Sequence, residues 1–343
     1  MKLATFEIPG MAGPVRRIGV VVREGVLADL NAATACYLST KGHPRLCNEL
    51  ADALVPADML RFLDGEEESM AAARDAYQFA LDKVEEMELQ SPRGQQVYYS
   101  LDIVKLKAPI PRPCKVIETG SNFDEHVNEL NTVKVEGWSD FKDFMKKVKQ
   151  PSGFLKAANT VIGHKEDIIY PRTTQKLDHE IELGIVIGKR GRYIPVEKAF
   201  EHIVGYTVHN DVSARDIQVN EQANRLVLLG KSMDTFCPLG PFLVTRDEVP
   251  DPDNLDMKLT VNGDVRQDSN TNHMIFKVAQ LVSWWSQLTL EPGDVITSAT
   301  PGGVAGFRYP DPTPFFLKPG DIVEAWIQHV GCLQNRVVSE EEA

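Results

Sequence analysis

Cysteine is sparse and scattered. Cys36, Cys47, Cys114, Cys237 and Cys332 are five in 343 residues, an odd number with no C-x-x-C pair. A zinc knuckle or dithiol redox motif is thereby excluded, and buried reduced thiols are expected instead. Positive charge is also in deficit, with 37 Lys and Arg against 49 Asp and Glu and a formal net charge of −12. Such an excess opposes attraction to phosphate backbones and anionic lipid, so neither nucleic acid nor membrane is expected as a partner. No stretch reaches the about eighteen apolar residues of a membrane span, and the N-terminus has no uninterrupted apolar segment after Lys2, which predicts a cytoplasmic protein. There is no strand, glycine fingerprint and helix in succession, so a Rossmann or P-loop nucleotide site is unsupported. Internal repeats and low-complexity tracts are missing too.

What remains is an ordinary globular composition, 43% hydrophobic and 25% charged, in a chain long enough for a large core and a smaller companion domain. Residues 17–30, RIGVVVREGVLADL, predict a hairpin turning at Glu24-Gly25. Short helices follow in HPRLCNELADAL and PADMLRFLDG. Met70, Ala73, Tyr77, Ala80, Leu81, Val84 and Met87 recur at helical spacing and predict an amphipathic helix over 66–89. Pro109, Pro111 and Pro113 mark a boundary, giving a small N-terminal α+β domain (1–108) and a larger β-rich α+β body (109–343). The body reads mainly as strands with turn residues between them, and Asn262-Gly263 is a strong hairpin signal. Within 131–150, Trp138, Phe141, Phe144, Met145 and Val148 fall at helical spacing in a highly charged segment, either a surface helix or a lid over a site.

The chemistry centres on LDHEIELGIVIGK, residues 177–189. In a strand, Glu180 and Glu182 point to one side, roughly 6.6 Å apart. At an effective dielectric of ~20 their repulsion is on the order of 2 kcal/mol, and desolvation adds more, so a buried pair needs a cation. The alternative is that they alternate outward into water. The next strand, GYTVHND, delivers Asp211 into a turn, and three converging carboxylates make an oxygen site suited to Mg²⁺, Mn²⁺ or Ca²⁺. His209, two residues earlier, is conceivable as a fourth ligand, whereas His179 should face the opposite way and be structural. His126 and Glu129 at i, i+3 in NFDEHVNEL would meet on one helix face, as in a base oriented by a carboxylate, or as a plain surface pair. Arg215 and Lys231 supply positive charge near an anionic ligand, or Arg215 pairs with Asp216. Thr300 beside Pro301-Gly302-Gly303 offers a hydroxyl and a close backbone approach, or a simple turn.

In this order the pieces resemble the fumarylacetoacetate hydrolase family. Asn122, Phe123, His126 and Glu129 match its N-Y-x-x-H-x-x-E motif, Glu180 and Glu182 its E-x-E strand, Asn210 to Gln218 its N-D-x-[ST]-A-R-D-x-Q element, and Lys231 its K-S-x-D lysine. A T-G-T-P-x-G-V turn corresponds to Ser298-Ala299-Thr300-Pro301, where Ala299 stands at the usual glycine; Phe123 likewise replaces the frequent tyrosine. The likeness spans about residues 105 to 338.

The resemblance implies a β-rich fold whose sheets roll around a metal, Mg²⁺ with Mn²⁺ or Ca²⁺ as substitutes, held by Glu180, Glu182 and Asp211. It implies His126 and Glu129 as a water-activating dyad and Lys231 stabilising an oxyanion. Arg215, Gln218, Thr300 and Asn122 would contact substrate, and the assembly would be a homodimer. The implied activity is hydrolysis of a carbon–carbon bond in a 1,3-diketo acid or acylpyruvate. The alternatives are decarboxylation of a β-keto acid such as oxaloacetate and keto–enol isomerisation at the same site.

Overall fold

All seven residues of the strand Ile181–Ile187 are buried, so the outward alternation into water does not occur. Such a β-branched, apolar strand belongs at the centre of a sheet covered on both faces. The computed structural model describes residues 1–132 and 149–343, and in it this strand lies inside a large mixed sheet. The order across that sheet is Ser152–Lys156, Val116–Gly120, Val295–Thr297, Ile181–Ile187, Ile203–Asn210, Cys237–Thr245, Lys2–Ile8, Val15–Arg23, Val26–Asp29 and Tyr98–Ser100. Neighbours run antiparallel except Val116–Gly120 beside Val295–Thr297. A second sheet orders Asp264–Asn270, Asp256–Val261, Ile322–Ile327, Gly331–Ser339 and Ile168–Tyr170. Met257, Leu259 and Ile327 from it share one core with Ile181, Leu183, Ile185 and Val208.

The segment 1–108 shares the large sheet. Lys2 and Leu3 pair with Val244 and Leu243, and the buried side chains of Leu30, Met59 and Phe62 pack in one cluster with Leu239, Leu243 and Val295. One sheet therefore includes strands from both sides of the expected boundary at 108. Helices Leu30–Thr40, Cys47–Leu54, Met59–Asp64 and Glu66–Asp82 belong to this part. The last stops seven residues short of the expected end, at Asp82 instead of Leu89. The first was not anticipated because Leu30 to Cys36 are all buried, so no polar face gives it a helical period. The two predicted hairpins form, and Asn262 and Gly263 take φ of 53° and 85°, the conformation a two-residue type I′ turn requires. The helical stripe from Trp138 to Val148 and most of the expected lid fall on residues 133–148, outside those described.

Register sets up the site. Lys156 pairs with Val116, Ile117 with Ile296, Gly184 with Thr297, Glu182 with His209, and His209 with Leu239. Four adjacent strands therefore bring Glu118, Thr297, Glu182 and His209 toward the same end of the sheet, and Lys156, from the next strand, reaches Asp211 with its side chain. Close strand approach depends on Gly205, where an added Cβ would sit 2.1 Å from the Val244 carbonyl oxygen and 2.8 Å from its carbon. Backbone cannot yield there without losing the pairing. Gly205→Ala is expected to destabilise the protein by about 1–3 kcal/mol or more, read as a lowered melting temperature; an unchanged melt would show that the two strands slide apart freely.

Candidate active site

Glu180 ends the loop before its strand, and backbone bonds tie it to Asp211. The Glu180 N–H donates to Asn210 Oδ1 and the Asp211 N–H donates to the Glu180 carbonyl, both at 2.8 Å. The two carboxylates then share one ammonium: Lys231 Nζ lies 2.8 Å from Glu180 Oε2 and 2.6 Å from Asp211 Oδ2. Lys156 Nζ approaches the other Asp211 oxygen at 2.5 Å. The second Glu180 oxygen accepts from Arg215, whose Nε donates to Asp178 Oδ2 at 2.7 Å and whose Nη1 donates to Gln218 Oε1 at 3.0 Å. All of these side chains are buried.

Glu182 is treated differently. It is 1% exposed, and its Oε2 has no hydrogen-bond partner among the described residues. Ligand oxygens of Glu118, Glu182 and Asp211 lie within 4.8 Å of one another. Burial, then the charges of Glu118 and Asp211, push the Glu182 carboxyl well above the usual range. An unsatisfied carboxylate in an all-oxygen cluster is the donor chemistry of a hard divalent cation, so the residues fit such an ion. Asp211 goes the other way. Burial raises it, but Lys156 and Lys231 prevail and hold it below the ordinary carboxylate range. Asp178 is likewise pushed up by burial, then brought to about 2 by Arg215 and by hydrogen bonds that include the Gly306 N–H.

The helix Asp124–Thr132 carries the other pair. His126 Nδ1 lies 3.5 Å from Glu129 Oε2, and Glu129 Oε1 accepts from the Gly303 N–H at 2.6 Å. A Cβ on Gly302 would come within 3.4 Å of the Glu129 carboxylate, so the glycine turn admits this contact. The His126 ring packs edge-on against Phe307 at 5.4 Å, and the Arg215 guanidinium lies 5.5 Å from the centre of the same ring. Phe307 thus links the His126 pair to the buried ion cluster.

The structure brings together Glu180, Glu182, Asp211, Arg215, Gln218 and Lys231. Asn122 and Thr300 are engaged by the protein itself. Asn122 bonds Phe276 N, Phe276 O and Ser298 O, while the Thr300 hydroxyl donates to the Ile181 carbonyl and accepts from Gln267. Asp216 accepts from Thr174 and from the Gln175 N–H, leaving Arg215 to Asp178 and Glu180. His179 is fully buried beside Gln267, and burial lowers its pKa, as suits a structural imidazole. Glu118, Lys156 and Asp178 were not anticipated. Glu118 did carry a signal of its own: it is a lone acid inside an apolar strand, VIETG, as unexplained there as Glu182 is in IELGIVI.

A β-rich fold with buried carboxylates, cations and a His–Glu pair at one end of the sheet defines a class. The chain belongs to the fumarylacetoacetate hydrolase family, whose profile for the "Fumarylacetoacetate (FAA) hydrolase C-terminal" region matches residues 115–338. Its relatives carry hydrolase, isomerase and tautomerase names. It is 39% identical over 339 residues to the mitochondrial oxaloacetate tautomerase FAHD2A of Bos taurus, covering 98% of this chain and 92% of that one. The human protein of that name is 38% identical over the same length and coverage. Among solved structures it resembles a maleylpyruvate hydrolase from Sphingobium sp. SYK-6 in complex with manganese(II) and pyruvate, with TM-score 0.68, 27% identity and 99% of each chain covered. It also resembles a fumarylacetoacetate hydrolase from Exiguobacterium antarcticum, with TM-score 0.68, 29% identity, and coverage of 98% of this chain and 100% of that one. Among the described residues no helix is long and apolar enough to cross a membrane. The mammalian relatives are named as mitochondrial, where the N-terminus and the lack of a membrane-length apolar run had suggested cytoplasm for this chain.

The Asp178 carboxyl, at about 2 when folded, lies below its unfolded value of about 3.9. Its contribution is therefore complete above pH ~4 and is lost as pH falls from there through about 2. Asp178→Asn should destabilise the protein by about 3–5 kcal/mol at neutral pH, because Arg215 loses one of the two buried carboxylates that oppose its charge. It should also flatten the acid limb of stability between pH 4 and 2, both measurable by urea titration. An unchanged acid limb would remove Asp178 from the account.

Proposed function

We propose that this protein is a divalent-metal-dependent keto–enol tautomerase acting on a short β-dicarbonyl acid of the oxaloacetate type. The observation that carries the reading is the near full-length likeness to relatives named oxaloacetate tautomerase, found in a chain whose buried Glu182 oxygen has no hydrogen-bond partner among the described residues. Glu180, Glu182 and Asp211 would hold the ion, which when bound supplies Lewis acidity toward the carbonyl oxygen.

The chain's own groups account for the rest. Lys231, seated between Glu180 and Asp211, neutralises negative charge on the substrate oxygen as the enolate forms. With Glu129 at Nδ1 of His126, Nε2 is the atom that exchanges the proton between the carbon next to the carbonyl and the oxygen. Arg215, held by Asp178, Glu180 and Gln218, keeps the carboxylates apart from one another and positions Glu180. Tautomerisation moves one proton and breaks no carbon–carbon bond.

A second reading rests on the same pair. If His126 Nε2 takes its proton from water, the hydroxide adds to a distal carbonyl, the carbon–carbon bond breaks, and the products are a carboxylic acid and an enolate that is then protonated. The maleylpyruvate hydrolase neighbour supports keeping it.

One assay series separates them. Enol oxaloacetate should lose its ultraviolet absorbance faster with enzyme, with no CO₂ or pyruvate formed, while acylpyruvates in ¹⁸O-labelled water give no labelled acid. Labelled acid would replace the tautomerase reading with hydrolysis, and CO₂ with decarboxylation. His126→Ala and Glu129→Gln should each lower kcat by about 10²-fold or more, and unchanged turnover in His126→Ala would rule out the proton-transfer role.

A further inference from the structure

Glu118 lies on the strand Val116–Gly120, outside the expected ligand set, and is 0% exposed. The structure holds its two oxygens separately. Oε2 accepts from the Thr297 hydroxyl at 2.8 Å. Oε1 lies 3.0 Å from His209 Nε2, and His209 is fixed by Nδ1 donating to the Pro238 carbonyl at 3.0 Å. A glutamate buried to this degree needs compensation on every side. Its own contacts leave each oxygen a further lone pair, and the carboxylates that approach it are Glu182, with its unpartnered oxygen, and Asp211. Three acids do not gather within 4.8 Å in the dry interior for one another's sake. Glu180, whose oxygens face Arg215 and Lys231, is not a member of this cluster.

We infer that Glu118 is an additional ligand of the divalent-cation site, facing Glu182 and Asp211, and that His209 and Thr297 are its positioning residues. The inference rests on the reading of this site as a cation site, and it changes which side chains form the cage. In the sequence His209 stood as a possible ligand itself; here its Nδ1 is spent on Pro238 and its Nε2 faces Glu118, so it supports a ligand instead.

The test needs no turnover. Mn²⁺ titrated calorimetrically into metal-stripped wild-type protein should bind at one site. Glu118→Gln, which keeps the shape and an acceptor for Thr297, should weaken Mn²⁺ at least about 10-fold. His209→Gln should weaken it by a smaller factor, as loss of a group that orients a ligand does. Wild-type crystals soaked in Mn²⁺ provide a check independent of how the variants fold: the anomalous peak should lie within about 2.6 Å of oxygens of Glu118, Glu182 and Asp211. A peak beyond ~3.5 Å from Glu118, or equal affinity in folded Glu118→Gln, overturns the inference and leaves the cation site standing. Failure of wild-type protein to bind Mn²⁺ at all would remove the cation site and the inference together.

Discussion

Asp211 is the carboxylate on which the rest of the centre depends, because two lysines from different parts of the chain divide its oxygens. Lys156 takes one and Lys231 the other. Through Lys231 the charge passes to Glu180, through Glu180 to Arg215, and through Arg215 to Asp178. Every member is buried, so none can be removed without leaving a neighbour uncompensated in a medium that solvates it poorly. Glu182, which has no hydrogen bond to these cations, is instead pushed well above the ordinary carboxylate range by burial and by the charges of Glu118 and Asp211.

The fold serves that chain of alternating charges. Antiparallel neighbours and one parallel pair bring short lengths of chain from residues near 118, 182, 209 and 297 toward one end of the same sheet. Apolar cores on both faces exclude water from that end. Exclusion of water strengthens each ion pair and raises the penalty for any unpaired charge. The N-terminal segment contributes through the same sheet and shares a core with Leu243 and Val295, so it buttresses the strands that carry the site.

Much of this was legible in the sequence, for identifiable reasons. An acid recurring every second residue in an apolar strand is conspicuous, so Glu180 and Glu182 stood out, and Asn262-Gly263 announced its hairpin through the φ values that only such residues adopt readily. Asp211 was visible as an acid closing an apolar strand. Lys156 and Asp178 were not, because each looks ordinary in its own segment and becomes significant only through the strand beside it, whereas Glu118 did stand out as a lone acid in an apolar strand. Pairing register between residues 117 and 296, or 178 and 213, is a property of the folded sheet that no local pattern encodes. Thr300 illustrates the converse: a hydroxyl beside a glycine turn reads as a ligand contact, yet Ile181 and Gln267 engage both its donor and its acceptor capacity.

The central claim is that this acidic cluster is incomplete without a doubly charged cation. It is tested most directly by melting metal-stripped wild-type protein while magnesium or manganese is raised stepwise. A cation bound only by the folded state should raise the melting temperature progressively, each tenfold excess over Kd adding about 1.4 kcal/mol. A melting temperature that stays level through millimolar cation would contradict the account.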